Sequence, residues 1–284
     1  VKTPTRWFLL AAAVLGVVFS AGCADLAWTN TLTTSEPAQP GAAADYPAGA
    51  ENPAAVESPT APEKTAADNP SVESTPALEN DSPPGGWPAV PTANGDFDYY
   101  LLALSWAPQY CASNPDDSQE CALGKRYAFV LHGLWPQFNK GYPANCSSEP
   151  LPDALKAKFP GLYPNDNLLI HEWSKHGTCT GLTPAAYLAL TSQFKGQVQI
   201  PQDYRAPSAP FRTSADDLVA AFRDANPALT ADGVAVNGAG SGRYLSEVYI
   251  CISKTGQPAD CGADVLKSAR KSLPNPDFLV RSVR

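Results

Sequence analysis

Residues Phe97–Trp106 read Phe-Asp-Tyr-Tyr-Leu-Leu-Ala-Leu-Ser-Trp. Nearly every position is apolar and the run is rich in aromatics, which predicts a strand covered on both faces and central in a sheet. Working outward, Tyr127–His132 (YAFVLH) is a second strand, halted by Gly133 and Pro136, and Glu247–Ser253 (EVYICIS) is a third. Helices alternate irregularly with these strands. Thr183 caps one with Pro184 at its first position, and Ser214 caps Ala215–Asp224 ahead of Pro227. Asp166 or Asn167 opens a short helix through His176 that Gly177 closes. Strands and helices without a regular βαβ rhythm predict an α+β domain, assigned to residues 96–284.

The rest of the chain has a different character. Lys2 and Arg6 precede the apolar stretch Trp7–Ser20, too short to span a bilayer comfortably, so residues 1–22 read as an export signal. Cys23 follows Ser20-Ala21-Gly22 as in a bacterial lipobox, which makes it a candidate lipid anchor to a membrane. Ser20 stands where lipoboxes usually carry Leu, and ordinary signal cleavage is the competing reading. Residues 23–95 form a linker rich in Pro, Ala and Glu, with 12 prolines from Pro37 to Pro91 and too few large apolar side chains to offset the entropy of ordering. The net charge of −8 divides into −7 before Asp96 and −1 from Asp96 onward. A domain this close to neutral draws no polyanion from a distance, so any nucleic-acid substrate must be held by a local cationic cleft.

The chain has three histidines, His132, His171 and His176, and all lie in two dense segments. One is His-Gly-Leu-Trp-Pro at 132–136 and the other is His-Glu-Trp-Ser-Lys-His-Gly-Thr-Cys at 171–179. On a helix, Glu172 and His176 share one face, His171 and Lys175 form a second pair about 100° round the axis, and Trp173 points to the far side, where it can pack on a core. Histidine changes charge near neutral pH, so two imidazoles flanking a substrate can serve as base and acid, and lysine adds a fixed cation. A phosphodiester transition state needs that set, because negative charge gathers on its equatorial oxygens. RNA supplies its own nucleophile, the 2′-hydroxyl.

The two histidine segments resemble the signature segments of the ribonuclease T2 family, secreted endoribonucleases that act without metal. The likeness extends to Phe97–Cys111 and Ser246–Cys251 and covers about residues 96–261. It implies an antiparallel sheet with packed helices. It also implies that His176 takes the proton of the 2′-hydroxyl, His132 protonates the departing 5′-oxygen, Glu172 and Lys175 stabilise the five-coordinate phosphorus, and His171 binds the phosphate. The products would be a 2′,3′-cyclic phosphate and a 5′-hydroxyl. Trp135 would stack on a base, giving broad base tolerance, and Gln137 could meet a base edge. Some members carry an aromatic three residues before the second segment, where this chain has Leu168, which implies a base subsite that is weaker or built differently.

Seven cysteines with an export signal imply an oxidising compartment. With Cys23 set aside, six allow fifteen pairings, which spacing does not choose among. The resemblance implies Cys111 with Cys121, Cys146 with Cys179, and Cys251 with Cys261. No metal or other cofactor is expected: there is no Cys-x-x-Cys pair, and His171-Glu172 to His176 is one residue too long for a zinc HExxH site. RNA is the expected substrate and no protein partner is implied. The competing readings are a catalytically silent RNA- or nucleotide-binding surface protein and a metal-dependent phosphoesterase.

Overall fold

The computed structural model describes Trp87 and residues 90–284. The expected export signal (1–22), Cys23 and the linker as far as residue 86 lie outside the described residues. Folding begins ahead of the expected boundary at Asp96. Trp87 is buried with its ring 6.0 Å from Phe194, and its carbonyl accepts from Gln257 Nε2 at 3.1 Å. Ala93 is buried too, and the Gly95 amide donates to Thr180 at 2.9 Å. Trp87 therefore serves as a core residue although its neighbours in sequence have the composition expected of a linker.

The chain order is β1 (Tyr99–Trp106), α1 (Ala107–Ser113), α2 (Ser118–Cys121), β2 (Phe129–Gln137), α3 (Asp153–Lys156) and α4 (Asp166–Lys175). There follow α5 (Pro184–Gln197), β3 (Phe211–Thr213), α6 (Ala215–Ala225), β4 (Val234–Ala239), β5 (Tyr244–Ser253), α7 (Ala263–Ser272) and β6 (Phe278–Val280). Strands pair in the order β2-β1-β5-β6-β3, with β4 also on β5, and every pairing is antiparallel except the short contact of β5 with β6. As expected, β1 is central and covered on both sides. Tyr100, Leu102, Leu104 and Trp106 enter the main core with Trp173, Leu188, Phe194 and Phe222 of α4, α5 and α6. Tyr99, Leu101 and Ala103 enter a smaller cluster with Ala235, Cys251, Cys261 and Ala269, which α7 closes.

β2 differs from expectation. It starts at Phe129 and runs through both Gly133 and Pro136 to Gln137. It is an edge strand, where a proline without an N–H costs no ladder bond. A bulge absorbs the irregularity: Ala103 faces Gly133 and Leu104 faces Leu131, leaving His132 as the extra residue. Bulges re-aim side chains, and this one lets Leu131 and Leu134 both enter the core while His132 is turned out of the ladder.

The helix caps fall close to their predicted places. Thr183 accepts from Ala186 and Ser214 from Asp217, while α4 is capped one residue early, by Asn165, whose side chain accepts from the Leu168 amide at 2.8 Å. α4 stops at Lys175, so His176 is its C-cap rather than its last turn, and a 3₁₀ turn spans Gly177–Cys179. All three disulfides pair as the resemblance implied.

Candidate active site

Three elements deliver the site. The bulge of β2 presents His132, the end of α4 presents Glu172 and His176, and β5 brings Glu247 and Tyr249 from beyond residue 240. The Cys146–Cys179 bridge and the bond from the Asn145 amide to the Lys175 carbonyl, 2.8 Å, fasten the segment after β2 to the turn that carries His176.

Trp135 lies at the centre. Its ring stacks on His176 at 5.2 Å and 29°, meets His132 edge-on at 5.0 Å, and meets Tyr249 edge-on at 5.6 Å. Its indole N–H donates to Glu172 Oε2 at 2.6 Å. Both imidazoles therefore contact one indole. Gly133 makes this possible, since a Cβ there would sit 2.0 Å from Glu172 Oε2 and 2.3 Å from Trp135 Nε1.

His132 sits between two carboxylates. Nδ1 lies 2.6 Å from Glu247 Oε1, and Nε2 lies 3.8 Å from Glu172 Oε1. Glu247 is itself fixed, accepting from Ser105 Oγ at 2.9 Å and from Tyr249 Oη at 2.7 Å. Burial disfavours charge on His132, but the charge and hydrogen bond of Glu247, with help from Glu172, outweigh it and lift the imidazole to about 9. Glu247 answers in kind: burial pushes its carboxyl up, yet His132 and its donors hold it below its ordinary value.

His176 is the opposite case. It is 4% exposed, its Nδ1 is buried without a hydrogen-bond partner among the described residues, and burial together with the charges of Lys175, His132 and His171 drives it down to about 2. Glu172 is 1% exposed, and burial raises it to about 7 against the pull of His132, the Trp135 bond and Lys175. His171, half-buried on α4, is lowered by burial, Lys175 and His132. At neutral pH the site thus holds one charged and one neutral imidazole.

Of the residues expected from the sequence, His132, Trp135, Glu172 and His176 come together, and Lys175 and His171 stand close enough to act on them electrostatically. Trp173 packs inward as expected, with its N–H on the Glu149 carbonyl. Two expectations change. Trp135, expected to offer its ring to a base, is half-buried with that ring already occupied by His176. Gln137 is buried, 4% exposed, with one amide N–H donating to the Pro136 carbonyl at 3.2 Å, so a base edge has little access to it. Glu247, Tyr249 and Ser105 were not anticipated as site residues. A signal existed for Glu247: a carboxylate at the head of the largely apolar EVYICIS strand must find a partner if buried.

The profile of the Ribonuclease T2 family matches residues 97–261. The chain belongs to this family. It is 41% identical over 201 residues to a ribonuclease of Aeromonas hydrophila, covering 67% of this chain and 88% of that one. It is 26% identical over 230 residues to ribonuclease I of Escherichia coli (strain K12), covering 64% and 82%. Among solved structures, a variant of RNase MC1 in complex with 5′-UMP is similar in fold, with a TM-score of 0.51, 22% identity, and coverage of 64% of this chain and 97% of that chain. Both histidine segments of this T2 family member, and the Glu247 strand that supports His132, fall within the matched residues.

Proposed function

We propose that the protein is a metal-independent endoribonuclease that cleaves single-stranded RNA by transphosphorylation, with low base specificity. The observation that carries this reading is the placement of two imidazoles about Trp135, His132 bonded to Glu247, which favours its charged form, and His176 buried against the indole, which favours its neutral form. Neutral His176 takes the proton of the 2′-hydroxyl as that oxygen attacks phosphorus. Charged His132 gives its proton to the 5′-oxygen as the P–O5′ bond breaks, leaving a 2′,3′-cyclic phosphate and a 5′-hydroxyl. Hydrolysis of the cyclic ester to a 3′-phosphate runs the protons the other way.

Lys175 supplies positive charge to the equatorial oxygens, and His171 on the same helix flank holds phosphate. Glu172, raised to about 7, is available in its protonated form as a donor to one of those oxygens. Trp135 acts first as a positioning residue, orienting Glu172 and seating His176. The exposed Tyr142 ring, 5.9 Å from His176, offers a base a face to stack on. The decisive experiment is mass analysis of oligonucleotide ends after brief digestion in the presence of EDTA. Cyclic phosphate ends, and no cutting of a strand lacking 2′-hydroxyls, are expected; loss of cutting on chelation overturns the reading.

Three disulfides fit export to an oxidising compartment. We further propose that residues 1–22 are the export signal and that Cys23 is lipidated, which mass analysis of the mature N-terminus checks.

A further inference from the structure

The site gathers His132 and Trp135 from the edge strand β2, Glu172 and His176 from α4, and Glu247 and Tyr249 from β5. At one end of the sheet face that carries Glu247, α7 lays Val265, Leu266 and Ala269 over Leu101, Ala235 and Cys251. At the other end the face continues through β5 and β6. Leu245 lies in the main core, so strand alternation turns Tyr244 to the side that carries Glu247, and Arg281, one residue past β6, sets its guanidinium over the Tyr244 ring. The parallel pairing of Tyr244 with Leu279 brings Arg281, two residues on, alongside the segment leading to Glu247. Ser105 donates to Glu247 on this face, and the next residue, Trp106, reaches from the core side to donate to the Arg281 carbonyl at 3.1 Å.

Tyr244 carries two arginines, with Arg281 4.3 Å and Arg243 5.9 Å from its ring centroid. Each is anchored through Nε, Arg281 on Gln109 Oε1 at 2.7 Å and Arg243 on the Gly240 carbonyl at 2.9 Å. Among the described residues neither forms a salt bridge with a carboxylate, whereas Arg212 on neighbouring β3 is neutralised by Asp277. A guanidinium held by Nε and an aromatic face keeps its η nitrogens in a fixed fork, the geometry that grips a phosphate with two bonds. The near-neutral domain also needs local cations to retain a polyanion.

We propose that Arg281, Tyr244 and Arg243 form an extended RNA subsite, which binds backbone phosphates of nucleotides beyond the scissile bond and makes the enzyme favour long chains over dinucleotides. The subsite rests on the reading of the histidine site as RNA-cleaving. Its test is chosen to stand apart from cleavage. A uridine dodecamer with 2′-O-methyl groups has no free nucleophile and cannot be cut, so its affinity can be followed by fluorescence anisotropy over a salt series. Arg243→Ala and Arg281→Gln are each expected to weaken binding about five- to ten-fold and to lower the slope of log affinity against log salt by about 0.7. A 2′-O-methyl dinucleotide should lose less than two-fold. Unchanged dodecamer affinity and slope in both variants, or an equal loss for dimer and dodecamer, overturns the proposal. Arg243 is exposed, so its replacement leaves the core untouched and decides the matter should Arg281→Gln fail to fold. Should the wild type bind the dodecamer in this way yet cut no RNA, the functional reading fails and the subsite stands.

Discussion

His132 Nδ1 and Glu247 Oε1 lie 2.6 Å apart although 115 residues separate them in the chain. With the ring protonated, Nδ1–H donates to Glu247 and Nε2–H is left for the substrate, so the carboxylate fixes both the charge and the orientation of the proposed acid.

Replacing Glu247 with Gln keeps a hydrogen-bond acceptor but removes the charge. His132 sits at about 9 because of that charge, so its protonated form, the one that can donate, should be lost at lower pH in the variant. The alkaline limb of the kcat/KM profile is expected to move down by about one unit or more, with kcat at pH 8 falling about ten-fold or more and KM little altered. A variant profile that superimposes on the wild type contradicts the assignment.

Gly133→Ala tests the crowding beneath Glu172. The added methyl would meet Glu172 Oε2 and Trp135 Nε1 well inside contact distance, and Glu172 has no open space to retreat into at 1% exposure. Cleavage should fall by about 10² or more as the Trp135–Glu172 bond is displaced. Retained circular dichroism together with full activity would show that the pair is dispensable.

The histidines also set the pH dependence of stability, with opposite signs. His132 is raised from 6.5 to about 9, so its contribution is complete below pH 6.5 and lost as pH rises through 9. His176 is lowered from 6.5 to about 2, so the unfolded chain takes up protons more readily below pH 6.5 and stability drops as the solution is acidified. Thermal melts of His176→Asn should fall less steeply than wild type between pH 6.5 and 4. An unchanged slope would show that burial of this ring does not govern acid sensitivity.

The Cys146–Cys179 bridge closes 33 residues that include α3 and α4. Its removal by paired serine substitutions should cost about 3–4 kcal/mol in urea unfolding, on the chain-entropy account. Activity should fall further than removal of Cys111–Cys121 causes, because only the former bridge fastens the turn beside His176.

Much of this was legible in the residues themselves. The two-sided burial of β1 follows from ten positions with hardly a polar one, and the starts of α5 and α6 follow from Thr183 and Ser214. Gly133 and Pro136 misled, because their effect depends on whether a strand is central or at an edge, and that is a property of the sheet. Trp87 misled for a similar reason: its proline-rich surroundings predict linker, but its own side chain is buried in the core.

The sequence by itself determined which groups could do chemistry, because three histidines, a glutamate and a lysine packed into two short segments leave few other candidates. Only the tertiary structure decided which imidazole is charged and which neutral. A residue type sets an intrinsic affinity for protons; the shift away from it comes from burial and from neighbours such as Glu247, and those are assembled by strand pairing across more than a hundred residues.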